Sequence, residues 1–184
     1  MPKALLIIDY TNDFVATNGA LTVGPPAQEL APAIVDLAAQ FKRAGDFVFL
    51  PTDVHTPADP YHPETKLFPA HNVRGSWGGR ELYGPLAQWY AANKGQQNVI
   101  FFDKTRYSSF AGTPPLDLWL RERQVTEVHL VGVCTDICLL HTAVDAYNLN
   151  YPLVIHQKAV ATFKPGGQAW ALDHFKTVLN AKIV

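Results

Sequence analysis

The chain has 184 residues, 48% hydrophobic and 11% aromatic, with a formal net charge of −1 at pH 7. That length accommodates one domain with a sizeable core, and a near-neutral charge without runs of one sign gives no electrostatic case for nucleic acid or an anionic membrane; a small-molecule partner is expected. Two cysteines are too few for a disulfide scaffold, MPKALLIIDY lacks the long apolar region of a secretory signal, and no stretch reaches the length that spans a bilayer, so a cytoplasmic protein with reduced thiols is expected.

LLIIDY (5–10) is the first strand candidate, a short apolar run of the kind that is buried on both faces. AQELAPAIVDLAAQFKRAG (27–45) reads as a helix closed by basic residues and a glycine, and FVFLPTD (47–53) as a second strand. Residues 54–80 are rich in Pro, Gly and His and carry no regular pattern; an irregular segment that long in a compact domain is usually functional. ELYGPLAQWYAAN (81–93), PLDLWLRERQ (115–124), TDICLLHTAVDAYNLN (135–150) and GQAWALDHFKTVLNA (167–181) are helical patterns. VIFFDK (99–104), VHLVGV (128–133) and YPLVIHQ (151–157) are the strands between them. The alternation predicts an α/β fold: one three-layer α/β/α domain over residues 1–184, with a mostly parallel open sheet of five to six strands and helices on both faces.

Ligands of such sheets bind outside the carboxyl ends of the strands, so polar residues that close apolar runs are the first candidates for chemistry. Asp9, Asp53 and Lys104 close three strands, and the fourth runs into GVCTDIC. Thr135 is a plausible helix N-cap there, which puts Cys138 in the first turn, where free backbone N–H groups and the helix dipole favour a thiolate. Cys138 is therefore the better nucleophile, and Cys134 falls in the preceding turn, where its backbone matters more than its sulfur. Asp136 opposes ionisation of the thiol. Asp9 and Lys104 supply a base and an electrostatic partner if the fold brings the strand ends together, and His141, three residues after Cys138, is a rival base. Asp53 and His55 share a face in extended backbone, and Glu64 and His71 lie within reach of them, an O/N donor set that suits zinc or another borderline divalent ion. Each residue alone has a bland reading: a core thiol, an ion pair, a solvated loop histidine.

GVCTDICLLHTAVDAYNLNY, the aspartate of LLIIDYTNDF and the lysine of FDKTRYSSF resemble the isochorismatase-like cysteine hydrolases, most closely their nicotinamidase (pyrazinamidase) branch, and the likeness covers nearly the whole chain. The resemblance implies a metal-containing cysteine amidohydrolase of NAD salvage that converts nicotinamide to nicotinate and ammonia. It implies Asp9, Lys104 and Cys138 as catalytic residues and the N–H groups of Cys134 and Cys138 as oxyanion hole, with a cis peptide between Val133 and Cys134. It further implies Asp53, His55, Glu64 and His71 as ligands of Zn (or Fe or Mn), with His62 the alternative to Glu64, and Phe14, Phe68 and Tyr107 as the wall of a flat-ring pocket. Trp77 either covers the entrance or sits on the surface. The rivals are a sibling hydrolase of a carbamoyl or ureido compound or of a vinyl ether, and a non-catalytic metal-binding flavodoxin-like module. A homo-oligomer is left open.

Overall fold

Strand order, not strand content, is what the sequence pattern leaves open, and the computed structural model, which describes residues 1–76 and 78–184, supplies it. Six strands, β1 (Lys3–Ile8), β2 (Phe47–Asp53), β3 (Val99–Lys104), β4 (Glu127–Val133), β5 (Leu153–Ala161) and β6 (Lys182–Ile183), form one sheet in the order β3-β2-β1-β4-β5-β6. Every neighbouring pair is parallel. The chain winds outward from β1 to β3, then returns to the other side of β1 for β4 to β6. The switch point therefore lies between β1 and β4, where a crevice opens beyond the strand ends.

Alternation along β1 divides the core. Ala4, Leu6 and Ile8 face a cluster with Leu116, Leu120, Ala143 and Phe175, whereas Leu5 and Ile7 face Ile34, Phe41 and Leu86. The first cluster is closed by α5 (Leu116–Glu122), α6 (Leu140–Asn148) and α7 (Gly167–Thr177), and the second by α3 (Ala31–Ala44) and α4 (Gly84–Asn93). The expected three layers and parallel sheet are thus present. No helix among the described residues is long and apolar enough to cross a membrane.

Departures from expectation sit at element ends. A short helix α2 (Pro25–Gln28) precedes α3, which starts at Ala31 rather than at residue 27. A four-residue helix α1 (Asn12–Val15) follows β1, unannounced by any periodicity. β5 runs on to Ala161, because an irregularity opposite Leu130/Gly132 shifts its pairing with β4 and lets the strand continue. The last helix ends at Thr177 rather than at residue 181, and β6 takes the two residues that follow the expected helix. Gly132, paired with Ile8, has φ +111, and a Cβ there would lie 2.1 Å from the Ile8 carbonyl oxygen, so only glycine lets the two strands approach. Among its described residues, the irregular segment 54–80 contains a single 3₁₀ turn, Pro63–Lys66, and a parallel bridge between His55 and Val73. Trp77 lies outside the described residues.

Candidate active site and metal centre

Three strand ends deliver the first cluster. Asp9 follows β1 in the left-handed region (φ +54), a conformation aspartate tolerates better than most residues. Lys104 ends β3, and its buried side chain reaches across β2 to place Nζ 2.8 Å from Asp9 Oδ2, 3.1 Å from the Arg106 carbonyl oxygen and 3.8 Å from Cys138 Sγ. The other Asp9 oxygen accepts the Asp53 N–H at 2.7 Å. Lys104 Nζ thus joins the Asp9 carboxyl to the Cys138 sulfur. Asp9, Lys104 and Cys138, expected to converge, do so.

The electrostatics separate their proton states. Burial pushes the Cys138 thiol well above its usual range, and Lys104 only partly offsets that. Burial also raises Asp9, against the pull of Lys104. Burial works against charge on Lys104, but Asp9, Cys138 and Asp53 hold its ammonium above the normal lysine range. Burial thus favours the neutral thiol and makes Asp9 more basic, while the neighbouring acids favour the charged form of Lys104.

The helix start differs from expectation. Thr135 does not cap it: its hydroxyl donates to Gln168 Oε1 at 2.6 Å, and Cys134, extended at φ −90, takes the cap position. The first turn, Thr135–Leu139, is a π turn in which the Cys134 carbonyl accepts from Ile137 (3.1 Å) and Leu139 (3.2 Å) but not from Cys138 between them. Such single turns are rare and concentrate at functional sites. The Val133–Cys134 peptide is cis. Both cysteines are free and buried. The Cys134 thiol is pushed up to about 12 by burial and by Asp136. Asp136, expected to burden Cys138, instead accepts from Thr162 Oγ1 at 2.5 Å and packs against Gly167. His141 is exposed and donates from Nδ1 to the Ile137 carbonyl at 2.8 Å, so it is turned away from the thiol. Its side chain satisfies its own helix.

The second cluster comprises Asp53, His55, Glu64 and His71, all buried, with one donor atom from each within 4.8 Å of the others, so they could hold a metal ion. His55 Nε2 lies 2.6 Å from Asp53 Oδ2, and His71 Nε2 lies 3.5 Å from Asp53 Oδ2 and 3.7 Å from Glu64 Oε2. The His71 Nδ1–H donates to the Pro69 carbonyl at 2.8 Å, which turns Nε2 toward the two carboxylates. Asp53 Oδ1 and His71 Nε2 are buried without a hydrogen-bond partner. Burial and the Asp53 charge push Glu64 up to about 7. Two carboxylates and two imidazoles that converge in this way fit a borderline divalent cation. His62 is engaged elsewhere: its Nε2–H donates to the Thr105 carbonyl at 2.8 Å and its Nδ1 accepts the Glu64 N–H at 3.3 Å. Of the two alternatives for the third ligand, Glu64 faces the cluster and His62 braces it.

The aromatic residues border both clusters. Phe14 and Phe68 set their rings edge-on to His71, at 5.2 and 6.3 Å between centroids. Burial and the nearby Glu64 carboxylate push Tyr107 up to about 12, and its ring stands 5.1 Å from that of His141 between centroids. A cavity of about 310 Å³ lined by His55, Glu64, Phe68 and His71 opens against this cluster. Sequence reasoning missed Thr11, Asp13 and Asn72, which pack behind the metal cluster; nothing in DYTNDF or AHNV marks them, because their partners are distant in the chain.

A family model described as the isochorismatase domain matches residues 3–183. A curated relative from Bacillus subtilis (strain 168), named as an uncharacterized isochorismatase family protein PncA, is 54% identical over 183 residues, covering 100% of this chain and 99% of its own. The solved structure of nicotinamidase/pyrazinamidase PncA from Bacillus subtilis superposes with a TM-score of 0.96 at 55% identity over 100% of both chains. That of pyrazinamidase/nicotinamidase from Streptococcus mutans does so with 0.95 at 49% identity and 99% coverage of each. A pyrazinamidase of Pyrococcus horikoshii in complex with zinc matches with 0.85 at 26% identity, covering 100% of this chain and 99% of that one. With one family model spanning the sheet and both clusters, this chain belongs to the isochorismatase family.

Proposed function

We propose that the protein is a nicotinamidase, a cysteine amidohydrolase that converts nicotinamide and water to nicotinate and ammonia through a thioester. The carrying observation is the Lys104 ammonium held between Asp9 (2.8 Å) and Cys138 Sγ (3.8 Å), because it pairs a buried base with a thiol beside a fixed positive charge. The names of the close relatives support the substrate.

In the first half-reaction Asp9 takes the Cys138 proton as sulfur attacks the carboxamide carbon, and the carbonyl π pair moves to oxygen. The N–H groups of Cys134 and Cys138 receive that oxyanion; preorganised donors of this kind are worth about 3–4 kcal/mol each. Collapse expels the amine, which leaves as ammonia with the proton held by Asp9. In the second half, Asp9 takes a proton from water as its oxygen attacks the thioester, and collapse releases nicotinate and returns the proton to sulfur. Lys104 keeps the shared negative charge of Asp9 and Cys138 compensated throughout. Asp53, His55, Glu64 and His71 would hold a divalent cation, with zinc favoured by the donor set, and that cation would supply an anchor for the ring nitrogen. Phe14, Phe68 and Tyr107 flank the ring, where stacking adds about 0.5–1.5 kcal/mol to burial.

The test is ammonia release from nicotinamide by the metal-loaded protein, beside carbamoyl and ureido compounds, with iodoacetamide labelling of Cys138. Ammonia and nicotinate in equal amounts, suppressed by labelling, are expected. Turnover of a carbamoyl compound alone would reassign the substrate, and neither turnover nor labelling would end the enzyme reading.

A further inference from the structure

Behind the metal cluster the segment after β1 grips the chain at His71–Asn72 at three points. Thr11 Oγ1 donates to Asn72 Oδ1 at 2.9 Å, the Asn72 N–H donates to Asp13 Oδ2 at 2.6 Å, and the Phe14 ring packs on His71. Asn72 is fully buried and sits in the left-handed region (φ +44), the kink that lets His71 turn inward while Val73 pairs with His55. Its carbonyl accepts the His55 N–H at 3.2 Å, and the His55 carbonyl accepts Arg74 N–H at 2.9 Å. One residue thus neighbours His71 in the chain and bonds the backbone of His55, whose rings stand 4.4 Å apart between centroids.

Asp13 is the fixed point of this arrangement. Its Oδ1 also accepts the Ala20 N–H at 3.2 Å, and its own N–H donates to the Gly79 carbonyl at 2.7 Å. A Cβ at Gly79 would lie 2.3 Å from Asp13 Oδ2, so the glycine backbone closes directly over the carboxylate. We infer that Asn72, clamped by Thr11 and Asp13, is a positioning residue that holds the His55 and His71 rings at the separation a cation requires. The inference rests on the metal-site reading above. Groups one step behind the ligands commonly change metal affinity by about 10–100-fold when removed.

Metal-free wild type, Thr11→Val, Asn72→Gly and Asn72→Ala are titrated with Zn²⁺ against a chromophoric chelator, and the melting temperature of each metal-free protein is recorded. Leu179→Ala, a buried site near the end of α7, serves as a remote destabilised control. Thr11→Val keeps the shape of the side chain and decides the matter if Asn72→Ala fails to fold. Thr11→Val and Asn72→Ala are expected to weaken Zn²⁺ binding about tenfold or more. Asn72→Gly, which keeps the kink and loses the clamp, is expected to stay weak, and Leu179→Ala to bind as wild type does. Wild-type affinity in Thr11→Val or in Asn72→Gly overturns the inference, as does an equal loss in Leu179→Ala. Wild type that binds no Zn²⁺ removes the metal-site reading itself, a different result from variants that match a binding wild type.

Discussion

Two buried thiols four positions apart illustrate how little residue type decides alone. Cys134 and Cys138 are both raised by burial, yet it is Cys138 that has the Lys104 ammonium at 3.8 Å, itself 2.8 Å from Asp9. Cys134 has the Asp136 charge acting against its ionisation, and the proposed reaction uses its N–H rather than its sulfur. Cys138→Ala is accordingly expected to lower kcat by about four orders of magnitude or more, since the other members of such a unit do little once the nucleophile is gone. Cys134→Ala is expected to keep activity within about a factor of a few and to cost on the order of 1 kcal/mol of stability for the lost buried sulfur. Steady-state ammonia release and urea unfolding of both variants measure this, and equal activity losses would mean the two sulfurs share the chemistry.

At the scale of elements, the β4–β5 seam carries a polar chain outside the site. Lys3 Nζ pairs with Glu127 Oε1 at 2.8 Å, the His129 Nε2–H donates to the same oxygen at 2.8 Å, and His156 Nε2–H donates to His129 Nδ1 at 2.9 Å. Phe41 from α3 covers His129, and the Asp46 charge also acts on Lys3 and His129. Burial, then the neighbouring His129, pushes His156 from 6.5 down to about 4. The unfolded chain therefore binds a proton near pH 6.5 that folded His156 refuses until about 4, so stability present above that window is lost as pH falls through it. His156→Gln is expected to flatten the fall in unfolding free energy between pH 6.5 and 4.5. The difference is a fraction of the ~1.4 kcal/mol per pH unit that one proton carries, reduced by the partial exposure of the ring. Urea titrations at stepped pH measure it, and parallel slopes for the two proteins would remove His156 from the account.

For the whole molecule, what could be read beforehand follows from the range of each interaction. The five long strands were legible because parallel strands buried on both faces must be continuous apolar runs, and the residues that close them were legible because polar groups stand out there. Strand order was not, and with it the reach of Lys104 across β2 to Asp9, since that contact depends on crossovers rather than on local pattern. The Thr135 cap failed for a related reason: its hydroxyl finds Gln168 on α7, a tertiary partner that outcompetes its own helix. The metal cluster joins β2 to residues 64 and 71 of the irregular segment, so a cation there ties an otherwise loosely patterned loop to the sheet. Without one, Asp53 and Glu64 face each other, and their repulsion contributes to the raised Glu64. A cation that binds only the folded chain stabilises it by about 2.7 kcal/mol at a concentration 100 times its Kd. For a chain this long each kcal/mol moves Tm by roughly 2–4 °C, so adding Zn²⁺ to the chelated protein is expected to raise Tm by about 5–11 °C. His71→Ala, which takes away one donor and leaves the carboxylates, is expected to lose most of that rise while Cys138→Ala keeps it. Scanning calorimetry with and without Zn²⁺ decides it: a wild-type Tm indifferent to the cation, or a His71→Ala rise equal to the wild type's, would leave the four residues as a buried polar cluster that binds no metal.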